Sequence, residues 1–299
     1  MYKTFRTGWK IARYNFSGWR KNPRIWIAFI LTFVMCYLLT DKAVVFSIEH
    51  GSILQILEPF VWTFGDSNSI LLSSLLLLLL LSDMPYLSAG TPFYLMRTDR
   101  KTWIAGQVMY TMATVFLYMA FILVSSALLC MSNAFSGNKW SQTAAILGYS
   151  GDGSRIALPA MVKTLEKTTP YVCALNIFGL MLGYALVMAL IMLVFNVKKG
   201  YAAGVVSSVL FTVYGFLMDP ERIAKIFNIP QELKYKARVF CGWASPLNQA
   251  TYHMHNFGYD ELPRLWMTFL IFAVLIAVLI VLAVHAVRKY NFNFRGSED

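Results

Sequence analysis

Residues 265–286 read "LWMTFLIFAVLIAVLIVLAVHA", a run of 22 residues without Asp, Glu, Lys or Arg. A transmembrane helix needs about 20 predominantly apolar residues, so this run predicts a membrane-spanning helix. The whole 299-residue chain agrees, because 58% of its residues are hydrophobic and only 14% are charged, whereas soluble domains hold about 25% charged residues. The composition therefore indicates an integral membrane protein whose outer surface is also apolar.

Five further apolar segments precede this run. Together they predict an all-α membrane protein with six transmembrane helices, at about residues 25–40, 68–87, 103–131, 172–195, 201–217 and 265–286. We divide the chain into an amphipathic helix over residues 1–24, on the cytosolic side, and a six-span transmembrane domain over residues 25–299.

The distribution of Lys and Arg predicts the orientation of these spans. If the N-terminus lies inside, the inner segments hold 15 basic and 4 acidic residues, and the outer segments hold 11 of each. The whole net charge of +11 then lies on one side, as the positive-inside rule requires. We therefore expect both termini in the cytoplasm of a multi-pass protein of the cell membrane. The same segregation explains the basic character of the chain without a nucleic-acid partner.

The N-terminal segment carries aromatic residues at helical spacing. Phe5, Trp9, Ala12, Phe16 and Trp19 form one stripe at about 100° per residue. Five basic residues project beside this stripe: Lys3, Arg6, Lys10, Arg13 and Arg20. The pattern is typical of a helix that lies among lipid headgroups, with Phe5, Trp9, Phe16 and Trp19 as anchors. Two interpretations remain open, a topogenic anchor and an elbow that also borders a cytosolic partner. Because no cleavage site follows, we expect the first span to be retained.

Residues 82–107, "SDMPYLSAGTPFYLMRTDRKTWIAGQ", interrupt the apolar pattern. Asp83 and Pro85 end the second span, and "SAGTP" is a cluster of helix breakers. The following "TPFYLMRTDRKTW" predicts a short amphipathic helix with an apolar and a charged side. This segment has two interpretations, a polar turn that satisfies the positive-inside rule and a docking surface for another protein.

The segments expected outside are long, at residues 41–69, 132–171 and 218–264. The first holds an apolar, aromatic patch, and the last predicts short interfacial helices interrupted at Pro230. A disulfide between Cys173 and Cys241 remains open, and no CxxC motif indicates a metal or redox centre. In "HMH", His253 and His255 lack a third ligand nearby, which favours a polar interfacial segment over a metal site.

The sequence has neither the intramembrane charges of an ion-driven transporter nor the motifs of an ATPase or a hydrolase. The six apolar cores contain no Asp, Glu, Lys or Arg, which argues against a proton- or sodium-driven carrier. The chain also lacks the GxxxxGK[ST] motif of P-loop ATPases and the GxSxG motif of hydrolases. Any energy for transport must therefore come from a separate subunit.

Taken together, these features resemble the membrane subunit of a type-2 ABC transporter, the permease of an exporter. The resemblance covers nearly the whole chain: an amphipathic N-terminal elbow, six spans, both termini inside and no ATPase domain. In the loop between spans two and three, Asp83, Gly90–Thr91, Leu95 and Arg97 match the family pattern, and Arg100 and Gly106–Gln107 continue it. The basic, aromatic "AVRKYNFNF" after span six and "WASPLNQATYHMHNFGYDE" before it are also similar to the family.

The resemblance implies a function and a set of partners. The chain would be a non-catalytic subunit that moves an amphipathic cargo (peptide, lipid or drug) outward, without a cofactor of its own. A separate ABC ATPase would bind ATP and Mg, and a second permease copy or a homologue would complete the pathway. The family's coupling helix would contain the docking residues Thr91, Leu95, Arg97, Asp99 and Arg100. The alternatives are a membrane-embedded sensor or scaffold that binds a ligand outside and docks a cytosolic partner, and an ATP-independent channel or carrier.

Overall fold

The computed structural model describes residues 2–87, 95–96, 98–150, 153, 158, 161–258 and 260–290. The prediction of an all-α membrane protein is confirmed at this level, because the described chain is mostly helical. Its α-helices are α1 Tyr2–Ser17, α2 Pro23–Glu49, α3 Glu58–Phe64, α4 Ser67–Leu81, α5 Arg100–Cys130, α6 Gln142–Ser150, α7 Val162–Lys167, α8 Pro170–Lys199, α9 Tyr201–Leu217, α10 Pro220–Ile226, α11 Lys234–Ala244, α12 Pro246–Ala250 and α13 Leu265–Ala286.

Several helices are long and apolar enough to cross a membrane. Within the described residues there are four such helices, α2, α5, α8 and α13, or up to six if two bent pairs each form one span. The pairs are α3 with α4, bent by 89°, and α9 with α10, bent by 73°. Four of the predicted spans correspond to α2, α5, α8 and α13, and the other two overlap α4 and α9, one helix of each bent pair.

Helices α2 and α4 end at other residues than predicted. Helix α2 continues to Glu49, nine residues beyond the predicted end at Thr40, because Ala43, Phe46 and Ser47 pack into the protein. Asp41 and Lys42 are exposed, so the helix continues through this charged pair. Helix α4 ends at Leu81, and residues 82–87 follow as irregular chain.

Side-chain caps fix where three of the helices begin. The Asn22 side chain accepts a hydrogen bond from the Arg24 amide at 3.2 Å, and Pro23 occupies the first turn of α2. Asp66 accepts from the Asn68 amide at the start of α4, and Asp219 caps α10 in the same way. Such caps satisfy amides that have no partner within a helix, so the breaks before these helices follow from the sequence.

Helix α8 is the centre of the bundle. It packs against α9, α13 and α5, and 72% of its apolar window is buried, compared with 17% for α13 and 33% for α2. Close helix contacts depend on small residues: a Cβ at Gly183 of α8 would lie 2.7 Å from the Phe272 ring of α13. The outer faces of α2 and α13 expose Leu, Ile, Val and aromatic side chains, which requires an apolar environment around them.

The bundle has two different ends. The N-terminal end comprises α1, residues 82–87, the start of α5, the turn at Gly200 and residues 287–290. The opposite end comprises α3, α6, α7, α10–α12 and two short parallel strands, β1 (Leu54–Gln55) and β2 (Ala134–Phe135). At this opposite end α12 packs against α4, α8 and α9, and Leu247 lies against Gly215.

Candidate functional site

Residues 82–87, which we call the junction, connect the helix ends at the N-terminal end of the bundle. The backbone carbonyls of residues 84–86 each accept a hydrogen bond from a different helix. The donors are the Asn196 amide of α8 at 2.5 Å, the Tyr201 hydroxyl of α9 at 3.3 Å and the Gln107 amide of α5 at 3.4 Å. Irregular chain in an apolar surrounding needs such partners, because an unpaired buried carbonyl is costly. The junction is thus bonded to three of the large helices at consecutive positions.

An ion pair connects the junction to the start of α2. The Asp83 carboxylate lies 2.6 Å from the Arg24 guanidinium, and both side chains are about one quarter exposed, at 27% and 26%. The same guanidinium donates to the Ser82 hydroxyl at 2.5 Å, and the Asn22 amide donates to Asp83 at 3.4 Å. The acidic residue singled out from the sequence therefore contacts this chain's own second helix.

Helix α1 packs along the first turns of α5. Gly8 and Gly106 let the two backbones approach, because a Cβ at Gly106 would lie 2.8 Å from Ile11 and 3.1 Å from the Gly8 carbonyl. The Asn15 side-chain amide donates to the Gln107 side-chain oxygen Oε1 at 3.3 Å. Small residues at a crossing permit this kind of close helix contact in membranes. Gly106 and Gln107, expected as part of the loop motif, therefore contact α1.

The four predicted anchors of α1 divide into two pairs. Phe5 and Trp9 are 61% and 53% exposed, which fits side chains available to lipid. Phe16 and Trp19 instead pack against Tyr110 of α5, and the Trp19 indole donates to its hydroxyl at 2.9 Å. The helix therefore buries Gly8, Ile11, Ala12 and Asn15, a face rotated from the aromatic stripe.

The predicted docking residues that the structure describes lie between the junction and the first turn of α5 along the chain. Thr91 and Arg97 lie outside the described residues, as does Gly90. Leu95 packs against the core, and Asp99 is exposed just before α5.

Arg100 contacts the far end of the chain. Its guanidinium donates to the Arg288 carbonyl at 2.7 Å and the Val287 carbonyl at 3.5 Å. Trp103, one helical turn later, stacks on Tyr290 with ring centroids 5.9 Å apart. A cation at the last carbonyls of a helix stabilises that end. Arg100 therefore stabilises the residues that follow the C-terminal end of α13, in addition to any role in docking.

Three contributors to the junction had no assigned role at the sequence level: Asn196, Tyr201 and Gly18. Asn196 could have been found as a lone amide at the end of an apolar span, since such groups seek a partner. A Cβ at Gly18 would overlap the Tyr86 hydroxyl, a contact that no sequence pattern indicates.

His255, Cys173 and Cys241, at the opposite end of the bundle, are buried. His255 is fully buried; its Nδ1 lies 3.1 Å from the carbonyls of Thr251 and Tyr252, and its Nε2 lies 3.0 Å from the Thr268 hydroxyl. Burial lowers the pKa of His255 to about 4. Cys173 and Cys241 are free and buried. Among the described residues, no group of three or more His, Cys, Asp or Glu side chains is placed to hold a metal ion.

Comparison of the chain with protein-family models, with curated proteins and with solved structures gives no match. We therefore infer a function from the junction, from the exposed surface beside it and from the apolar faces of the helices.

Proposed function

We propose that this chain is the permease subunit of an ATP-driven exporter and that a separate ATPase binds at the N-terminal end of the bundle. In this proposal the chain crosses the cell membrane six times with both termini inside, and α11 and α12 form a re-entrant segment before the last span. The concentration of Lys and Arg on the segments of the N-terminal end supports that orientation. ATP and Mg belong to the partner subunit.

The observation that carries the proposal is the bonding of the junction. One short segment is attached by side chains to α2, α5, α8 and α9. A displacement of this segment is transmitted to four helices at once, because each attachment is a direct contact with a helix end. That arrangement suits a membrane subunit that receives a mechanical input from outside the bilayer.

The surface next to the junction supports a protein partner. Met96 is 78% exposed, and Asp99, Arg100 and Lys101 are exposed around it. Leu95 points inward and packs against the core, so a partner bound at Met96 is connected to the bundle through one residue. An exposed Met among charged residues is typical of adaptable protein-binding surfaces. Thr91 and Arg97 are expected to contribute to the same surface.

The exposed faces of α2 and α13 support a second copy or a homologue beside this chain. Both faces are apolar, and the cores of the six apolar segments identified in the sequence lack acidic and basic residues. A pathway between two such subunits suits an amphipathic peptide, lipid or drug. Outward transport of a labelled hydrophobic peptide by vesicles that contain the chain and its ATPase should stop when ATP is withheld, and transport without ATP would contradict the proposal.

The test is co-purification of the chain with its ATPase, using a matched pair of methionine variants. Met96→Glu places a charge on the proposed docking surface and should weaken ATPase binding by about tenfold or more, as expected for a central interface residue. Met131→Glu is the control, because Met131 is 65% exposed at the opposite end. Equal binding by both variants would place the partner elsewhere. Recovery of a cytosolic partner without ATPase activity would replace the exporter with the sensor or scaffold alternative.

A further inference from the structure

A polar cleft opens at the opposite end of the bundle, where α9 turns into α10. The cleft has a volume of about 220 Å³. It is lined by the start of α4, the end of α9, the start of α10 and α12, including Asn68, Phe216, Asp219, Arg222 and Asn248. None of these residues belongs to the junction, so the cleft is a separate feature of the molecule.

The depth of the cleft follows from helix length. Helix α9 has 17 residues, which gives a length of about 25 Å, close to the thickness of the hydrocarbon core of a bilayer. The chain then bends by 73° into α10. The cleft at this bend therefore lies at the level where acyl chains meet headgroups.

The neighbouring α10–α11 hairpin supports the same depth. Phe227, Tyr235, Phe240 and Trp243 are between 45% and 69% exposed. Five basic and two acidic residues accompany them between residues 220 and 244. Exposed aromatic rings mixed with Lys and Arg are typical of the membrane–water interface.

The chemistry of the cleft fits a phosphate group. The Arg222 guanidinium lies 4.5 Å from the centroid of the Phe216 ring. Stacking uses the face of the guanidinium and leaves its in-plane N–H groups directed outward, and these groups match two phosphate oxygens. Ser67 and Asn68 line the same wall and carry side-chain hydrogen-bond donors.

Asp219 adds a negative group to this lining. One of its carboxylate oxygens accepts from the Arg222 amide at 3.1 Å, and the side chain also lines the cleft. A site with one Arg and one Asp complements a ligand that carries both a phosphate and an ammonium group. A headgroup with a phosphate but no cationic group would be repelled by the Asp219 carboxylate.

Helix α9 has an exposed apolar side. Val206, Leu210, Val213 and Leu217 lie on this side and are between 41% and 62% exposed. The opposite side of the helix is small or polar and buried against α8 and α12: Gly204, Ser208, Thr212 and Gly215. The cleft borders this buried side at Gly215, so it is separate from the apolar surface that α9 exposes.

We propose that this cleft binds the zwitterionic headgroup of a membrane phospholipid, with the phosphate on Arg222 and the ammonium on Asp219. This inference does not depend on the ATPase partner, because it concerns only the chain in its bilayer.

The test is lipid retention by the purified full chain, measured by native mass spectrometry with phosphatidylethanolamine and phosphatidylglycerol added in parallel. The wild type should retain phosphatidylethanolamine in preference, and Arg222→Gln should weaken that binding by about tenfold, the loss expected for a charge-assisted hydrogen-bond pair. Arg222→Lys should retain part of it. Lys225→Gln is the matched control, because Lys225 is exposed three residues away and does not line the cleft.

Two outcomes would overturn the proposal. They are equal loss of binding in Arg222→Gln and Lys225→Gln, and equal retention of both lipids by the wild type. The thermal midpoint of each variant without lipid separates weaker lipid binding from misfolding.

Discussion

The two ends of the bundle hold their segments together by different means. At the N-terminal end, backbone carbonyls of the junction accept hydrogen bonds from neutral side chains of the large helices. At the opposite end, the fully buried carboxyl group of Glu58 accepts from the Ser141 amide at 2.7 Å, the Ser141 hydroxyl at 2.6 Å and the Gln55 amide at 3.1 Å. The first arrangement joins helices to one another through a loop, whereas the second joins loops through one side chain.

This difference has an energetic consequence. Three neutral hydrogen bonds from three helices can be lost one at a time, each at a modest cost of about 1 kcal/mol. Removal of the single buried carboxyl group breaks all of its hydrogen bonds at once and leaves several donors without a partner. We therefore expect a substitution of the single residue Glu58 to destabilise the opposite end. At the N-terminal end, we expect a change in helix position to have the larger effect on stability.

The largest effect is expected for Glu58→Ala. Loss of the carboxyl group leaves the amides of Gln55 and Ser141 unpaired in a buried site, which should lower the free energy of unfolding by about 3 kcal/mol. Denaturant unfolding of the purified chain in detergent measures this change. Glu58→Gln keeps one acceptor oxygen and should lose less; a larger loss in Glu58→Gln than in Glu58→Ala would refute the single-connection interpretation.

Gly106→Val tests the other end through helix position. The added side chain overlaps Ile11 and the Gly8 carbonyl, so it should separate α1 from α5 and cost about 2 kcal/mol. Protease cleavage of α1 and thermal unfolding report the separation. Gly137→Ala is the control, since its added methyl group meets only the Phe135 ring at 3.3 Å. Unchanged protection of α1 in Gly106→Val would show that the helices are not held by this crossing.

Mild acid should affect the opposite end through His255. The folded pKa of about 4 is below the unfolded value of about 6.5. Protonation therefore favours unfolding, and the stabilisation present above pH 6.5 is lost as the pH falls toward 4. Between pH 7 and pH 5.5 this loss should be about 1 kcal/mol. A His255→Gln variant should lack this component, and an identical pH dependence in the variant would assign the effect to another group.

The smallest effect is expected for the ion pair of the junction. Because Arg24 and Asp83 are partly exposed, a double-mutant cycle with Arg24→Gln and Asp83→Asn should give a coupling free energy of about 0.5 kcal/mol. The coupling should fall at high salt. A coupling above about 2 kcal/mol would instead indicate a pair shielded from solvent, as inside a larger assembly.

Composition and periodicity were sufficient to predict the helical membrane architecture. Long apolar runs have few other stable arrangements in a bilayer, so four of the predicted spans correspond to α2, α5, α8 and α13, and the other two overlap α4 and α9. The position of α1 beside α5 was not predicted, because the aromatic stripe at Phe5 and Trp9 faces away from the contact. The packed face consists of Gly8, Ala12 and their neighbours, which a hydrophobic pattern does not distinguish.

The candidate site was located from the sequence but its contacts were not. The interruption at residues 82–107 predicted a non-helical segment after the second span, and residues 82–87 are irregular chain. Its bonding depends on partners about 20 to 200 residues away in the chain, such as Gln107, Asn196 and Arg288. Such pairs form only after the helices have packed, so local propensity carries no information about them. Glu58 escaped notice for the same reason, since Ser141 follows it by 83 residues.

The hydrogen bonds of the junction depend more on its number of residues than on which side chains it carries. Its three acceptors are the backbone carbonyls of residues 84, 85 and 86. They accept hydrogen bonds from Asn196, Tyr201 and Gln107, in that order. Exchanging one side chain for another leaves a carbonyl in place, whereas removing a single residue moves every carbonyl past its donor. Homologues of this chain should therefore vary in composition across the junction while keeping the same number of residues between Leu81 and Leu87.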